Sequence, residues 1–478
     1  MSAAGALAVA VALAGCGGTT YFAGRTLPPS GLTNRVLIAI QNPSTISSGT
    51  LEIVDAYYDI RFKYNSTNVG PAFSVSGVSV KLPISIQNMP DEGIGAIYSY
   101  GSGSFSLVNY AKEASAGSVN NLNGLLSSVF ITRNQSYAFA ASQSQHVLTV
   151  VNQANGGSYP LSLPGVYGVS VNPGGSVALA FVQNSNSIYY PRQLTAAQTI
   201  AYSGGPTTWP KAAVDCEPQS GPGWCLFQAQ SPDHVDATGN YYGTPLTFDR
   251  PIKAVFSADG STAYILNCGP ECGGTTASIS TLPIAPMNFL VGQQSGLLPT
   301  QSAINATTLL TPGGASNARV AGSILYVVGQ QKMPDGYFGG HLTVIDLSKN
   351  SISTPAVSIS DGAPGATSRM LMADDNTMWI GMTHCNTGER ANNGQPFGCL
   401  TMVNTSTNAV TVLPYIGNAT GIAAVTGLHK VYTAENGQVY IHSTLDGSLL
   451  DNQYVTVTGT AYDVAYMDAY TDDNNTVY

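Results

Sequence analysis

The sequence predicts an all-β chain folded as a β-propeller. Three observations carry that expectation: short runs of alternating apolar residues, turn residues between them, and recurrence of one four-run unit at intervals of about 40 to 50 residues. Residues 251–286 give the grammar of the unit. An alternating run from Ile252 to Phe256 leads to a turn at Asp259-Gly260, a second run spans Ala263 to Asn267, and a third spans Ala277 to Leu282. Alternation on both sides of Asp-Gly is a strong short-range hairpin signal. The same order recurs from Ile84, Ser127, Tyr167, Ala318, Ser368 and Gly421, and no long stretch shows the 3.6-residue apolar period of an amphipathic helix.

First strands fall near residues 84, 127, 167, 251, 316, 368 and 420, which makes seven units. Two pieces are left over. Residues 35–65 hold strands with no opening partner, and the run near Tyr462 to Met467 opens a unit that the chain does not complete. Joining them in one composite blade predicts a ring of eight four-stranded blades, with seven as the alternative. The propeller is therefore expected as one domain over residues 35–478. The wide gap between the units at 167 and 251 marks an inserted loop region at about 192–250, and it holds Trp209, Trp224, Tyr241 and Tyr242. Loops of repeat proteins gather on one face that often binds. These four aromatics are the candidate binding loop.

Composition narrows the classes of partner. Of 478 residues 44% are apolar, but Asp, Glu, Lys and Arg make up only 9%, against about 25% in ordinary soluble proteins. Seventeen basic residues face 26 acidic ones, for a net charge of −9, so a nucleic-acid partner is not expected.

The apolar run from Ala3 to Ala14 is too short to span a bilayer and reads as the hydrophobic part of an export signal at residues 1–15. Leu13-Ala14-Gly15-Cys16 resembles the lipobox of bacterial lipoproteins. That resemblance implies a diacylglycerol on Cys16, a flexible tether over residues 16–34, and attachment to the bacterial cell envelope at the outer membrane. Nothing basic precedes Arg25, a departure that leaves two alternatives, a signal truncated at its start or a weak one. The other six cysteines fall into three sequence-local pairs, Cys216 with Cys225, Cys268 with Cys272 and Cys385 with Cys399, each enclosing Gly and Pro. Disulfides suit an oxidising compartment and leave Cys16 as the odd one. Zinc is the alternative, weakened because no histidine lies near Cys268 or Cys272.

Catalytic motifs are not legible. His146, His234, His341, His384, His429 and His442 are scattered through different units, and no phosphate loop or paired metal motif occurs. Asp233, Asp236, Asn240, Asp472 and Asp473 could offer oxygens to calcium, but not at the spacing of a defined calcium loop. No catalytic residue, cofactor or metal site is assigned.

The units "FSADGSTAYIL", "LTVIDLSKNSI" and "CLTMVNTSTNAVTVLP" resemble the YVTN-type and lactonase-like propeller repeats of exported bacterial proteins. Two function classes follow. The first is an envelope-anchored binding or scaffold protein for a protein or polysaccharide partner, which the scarcity of ionisable residues favours. The second, implied by the resemblance, is an exported lactonase-like hydrolase or quinoprotein-like oxidoreductase with its site at the channel mouth. A cluster of His, Arg and carboxylates converging on the channel would favour the second, and a channel lined by Ser, Gly and apolar residues would defeat it.

Overall fold

Eight β-sheets stand in a ring, as the repeat count predicts. The computed structural model describes residues 27–42, 48–65, 68–120, 122, 126–203, 213–218, 220–235, 241–289, 306–360, 367–385, 392–394 and 398–470. Blades 1 to 7 occupy residues 83–119, 128–162, 166–228, 251–310, 317–360, 367–412 and 419–455. In each, antiparallel strands run outward in chain order, except at the outer edge of blade 3. Blade 4 shows why: alternation makes the strands, and the Asp259-Gly260 turn that reverses the chain needs the left-handed backbone of Gly260, at φ +65°.

Blade 8 closes the ring from both ends of the chain. Its innermost strand is Thr460–Tyr466, paired outward with Arg35–Gln41 and then with Gly49–Asp55. A fourth, irregular edge is made by bridges from Ser74 to Glu52 and from Val80 to Gly49. A buried ionic clasp holds the closure. The Arg35 guanidinium sits 2.9 Å from Glu113 of blade 1 and 2.5 Å from Asp468, just beyond the last strand. Glu113 also accepts from the Ser30 backbone N–H at 2.7 Å and hydroxyl at 2.6 Å, which ties down the approach to the first strand.

The core lies between the blades. Val36, Ile38 and Val54 of blade 8 pack on Val425, Tyr432 and Ile441 of blade 7, and equivalent seams follow around the ring. Blade 3 has a fifth strand: Ile188–Leu194 pairs with Gly223–Gln228, which carries Asp215–Glu217 on its edge. Residues 192–250 therefore include the outer strands of blade 3, together with a helix, Ala196–Ser203, and a hairpin, Gln230–Val235 with Tyr241–Pro245. Trp224 corrects the loop expectation. It lies on a strand, is fully buried, and packs edge-on to Tyr137 and Phe139 and against Phe289, with ring centroids 5.4 to 6.2 Å apart. A large ring beside three other aromatics gains more from burial than from solvent.

Antiparallel order gives the ring two distinct faces. Connections between blades and between the second and third strands lie on the face where inner strands begin, here the upper face. The turns that follow the first and third strands lie on the lower face. Among the described residues no helix is long and apolar enough to cross a membrane.

Candidate functional site: the central channel

The inner strands of blades 1 to 8 are Pro83–Met89, Ser128–Ile131, Val166–Val171, Pro251–Phe256, Asn317–Ala321, Thr367–Ala373, Ala419–Val425 and Thr460–Tyr466, and together they wall a cavity of about 730 Å³. Six of them break register at one point. Ile84, Tyr167, Ile252, Ser368, Thr420 and Tyr462 are each skipped in the pairing with the next strand outward. An unpaired residue of this kind bends the strand and re-aims the side chain beside it. The residues that follow are Ser85, Gly168, Lys253, Arg369, Gly421 and Asp463. Three of these six are ionisable, in a chain where charge is scarce.

These three groups interact. The Arg369 guanidinium approaches the Asp463 carboxylate at 3.9 Å, reaching across blade 7. Gly421 lies between them. A Cβ there would stand 2.5 Å from Asp463 Oδ1 and 2.7 Å from its Cα, so only glycine leaves the space. Asp463 also accepts from the backbone N–H of Ile86 in blade 1 at 2.7 Å and from that of Val464 at 2.9 Å. Burial raises its pKa to about 6, although Arg369 and the two N–H donors oppose the shift. Lys253 donates to Asn317 Oδ1 of blade 5 at 2.8 Å. Its ammonium, desolvated and repelled by Arg369, has a pKa lowered to about 7.

Neutral side chains stitch the rest of the ring. Gln87 exchanges two hydrogen bonds with the Ile131 backbone, at 2.6 and 2.9 Å, and Ser128 accepts from Val169 N–H at 3.2 Å. Ser170 accepts from Ala254 N–H at 3.1 Å, and Ser368 donates to the Ala419 carbonyl at 2.7 Å. Arg319 of blade 5 joins Lys253 in the lining. Asp91 and Arg133 pair at 2.6 Å beside the lower mouth. The channel thus holds a carboxylate whose pKa is raised and an ammonium whose pKa is lowered toward neutrality, with guanidinium groups beside them. It can bind an anion and move a proton.

No histidine is among the lining residues. His429 pairs with Asp375 at 2.8 Å on the lower face, and His442 is buried against Glu435 at 3.1 Å between blades. The three cysteine pairs are disulfides. Cys216–Cys225 staples the edge strand of blade 3, whereas Cys268–Cys272 and Cys385–Cys399 close loops on the upper face of blades 4 and 6. Tyr241 and Tyr242 open the second strand of the hairpin beside blade 3. Cys16, Trp209, Asp236, Asn240, Asp472 and Asp473 lie outside the described residues, and so does the side chain of Asp233. Among the described residues no three His, Cys, Asp or Glu side chains gather as metal ligands.

The fold and channel define this chain as an eight-bladed propeller with an ionisable central site. No family model and no curated protein matches the sequence. Similar solved structures include a periplasmic gluconolactonase of Pseudomonas aeruginosa, 14% identical over 91% of this chain and 98% of that one, with a TM-score of 0.39. AztD of Citrobacter koseri is 10% identical over 91% and 98%, with a TM-score of 0.45. The hydrazine synthase of Kuenenia stuttgartiensis is 12% identical over 80% and 100%, with a TM-score of 0.44. At such identities the likeness is one of fold. Three disulfides place folding in an oxidising compartment, as for an exported protein.

Proposed function

We propose that this protein is an exported propeller hydrolase that cleaves a small anionic ester or lactone in its central channel. The observation that carries the reading is that Lys253 and Asp463 line one cavity and Arg369 stands 3.9 Å from Asp463, all three at the point where their strands are bulged. Lys253, Arg369 and Arg319 attract the substrate's negative charge in a protein that is otherwise acidic. Asp463, ionised above about pH 6, takes a proton from water as the water oxygen bonds to the carbonyl carbon. The Lys253 ammonium gives its proton to the alkoxide as the carbon–oxygen bond breaks. Acid and alcohol, or an opened ring, are the products. The proton on Asp463 returns to Lys253 through solvent.

Binding of a protein or polysaccharide by the inserted loop is the weaker reading, because Trp224 belongs to the interior. For location, the pairing of six cysteines leaves Cys16, in its lipobox-like setting, as the site of a lipid anchor to the outer membrane. Turnover of a panel of anionic and neutral esters and lactones tests the activity. Hydrolysis is expected to favour anionic members and to fall at least about a hundredfold in Asp463→Asn, the usual scale for a lost acid–base group. Absence of turnover across the panel, or equal turnover by Asp463→Asn, would defeat the reading.

A further inference from the structure

The lower face carries an apolar patch that the channel chemistry does not use. Among the described residues the five most exposed large apolar side chains are Tyr470 at 74%, Leu445 at 70%, Tyr58 at 65%, Leu310 at 59% and Tyr57 at 58%. All but Leu310 stand on the lower face of blades 7 and 8. Tyr470 follows the inner strand of blade 8, Tyr57 and Tyr58 follow its third strand, and Leu445 sits in the turn after the third strand of blade 7. The Tyr57 and Tyr58 rings contact each other edge-on, with centroids 4.8 Å apart.

The acids among these side chains are engaged by donors. Lys430 donates to Asp59 at 2.7 Å, and the Tyr432 hydroxyl also donates to it. Asp375 accepts from the Thr444 hydroxyl and pairs with His429, and Asp374 accepts from the Gly427 and His429 backbone. Asp446 accepts from the Ser448 hydroxyl and N–H. Asp468 is held by Arg35. Donors on these carboxylates reduce the cost of bringing the face up to an apolar phase.

The chain leading back to Cys16 leaves from this same face. Leu27 is 48% exposed, and residues 27–34 run beneath the first strand, where Ser30 is fixed to Glu113. Leu27 lies eleven positions after Cys16, a reach of about 40 Å at full extension. A lipid on Cys16 would therefore hold the lower face near a bilayer.

We propose that the lower face of blades 7 and 8 is a membrane-docking surface, with Tyr57, Tyr58, Leu445 and Tyr470 entering the interface of a zwitterionic lipid bilayer. The orientation rests on the lipid-anchor reading of Cys16. Tyrosine suits this position because its ring is apolar and its hydroxyl stays wet. The upper mouth of the channel, beside the Cys268–Cys272 and Cys385–Cys399 loops, then faces away from the membrane.

Vesicle flotation tests the surface without the anchor. The Cys16→Ser protein, which has no lipidation site, is mixed with phosphatidylcholine vesicles at low and high salt. It is expected to float with the vesicles at both salt concentrations, and a Tyr57→Ser, Tyr58→Ser, Leu445→Ser, Tyr470→Ser variant is expected to float roughly tenfold less. No flotation, or equal flotation by the variant, would overturn the proposal. So would a dimer in solution that the four substitutions dissociate, since the patch would then be covered by a second copy. Mass analysis of the native N-terminus reports the anchor separately, so the two readings fail independently.

Discussion

Arg369 and Asp463 face each other at 3.9 Å from blades that are not neighbours, and the intervening blade has glycine at the crossing, Gly421. The channel site depends on this absence of a side chain. Gly421→Ala forces its Cβ to within 2.5 Å of Asp463 Oδ1, so either the carboxylate or the inner strand of blade 8 must shift. Thermal or urea unfolding is expected to show a loss of about 1–3 kcal/mol. Turnover should fall further than this loss explains, because the displaced group is the proton acceptor. Wild-type stability and turnover in Gly421→Ala would place the site elsewhere.

The pH profile of activity should be bell-shaped. Asp463 must be ionised, which sets an acid limb at about pH 6, and Lys253 must be protonated, which sets an alkaline limb at about pH 7. The optimum falls between them. Lys253→Arg, charged throughout, is expected to remove the alkaline limb while lowering the maximum. A profile flat from pH 5 to pH 9 would exclude both groups from the rate-limiting step.

Stability should respond to the same two groups with opposite signs. Asp463 has its folded pKa raised from 3.8 to about 6, so the folded state holds the proton more tightly than the unfolded chain. Ionisation therefore costs stability as pH rises from about 4 to about 6. Above that range the cost is full, on the order of 3 kcal/mol. Lys253 has its folded pKa lowered from 10.5 to about 7. Its cost is full below pH 7 and is relieved as pH rises toward 10.5. Asp463→Asn should thus gain stability over the wild type only above about pH 4, and Lys253→Met should gain most below pH 7. Unfolding free energies measured across this range check both signs.

Much of the ring was legible because propeller strands are specified locally. Alternation between Ile252 and Phe256 and the Asp259-Gly260 turn need no distant partner to be recognised, and the orphan strands at the two ends implied the shared blade. The channel site was not legible, for a physical reason. A bulge such as the one at Ile252 or Ser368 leaves no mark in composition, yet it decides which way Lys253 and Arg369 point. The convergence joins residues more than 200 positions apart, from Lys253 to Asp463. Trp224 failed for a related reason. Its neighbours, Gly and Pro, read as loop, whereas its partners Tyr137 and Phe289 lie in distant segments.

The closure clasp predicts an asymmetric double-mutant cycle. Arg35 and Glu113 are both buried, at 5% and 4% exposure, and Asp468 shares the guanidinium. Arg35→Met leaves Glu113 a buried carboxylate without its cation, at a cost of about 3–5 kcal/mol. Glu113→Gln should cost less, because Asp468 still neutralises Arg35. The double variant should be more stable than Arg35→Met alone, since the stranded charge is gone. Additive losses in chemical denaturation would contradict a coupled clasp.

The disulfides close short loops, with sequence separations of 9, 4 and 14, and so restrict the unfolded chain by amounts that grow slowly with length. Chain entropy assigns each about 2–3 kcal/mol. Five of the six half-cystines are nearly or fully buried: Cys216, Cys225, Cys268, Cys385 and Cys399. Reductant must wait for local opening to reach Cys216–Cys225 and Cys385–Cys399. Cys268–Cys272 should be reduced first, because Cys272 is the one partner not buried. Alkylation followed by peptide mapping is expected to label Cys268 and Cys272 at the lowest reductant concentration, with a first small drop in Tm. The other two bridges should yield together with the main unfolding transition. Uniform labelling of all six cysteines in the native protein would mean that the bridges do not form.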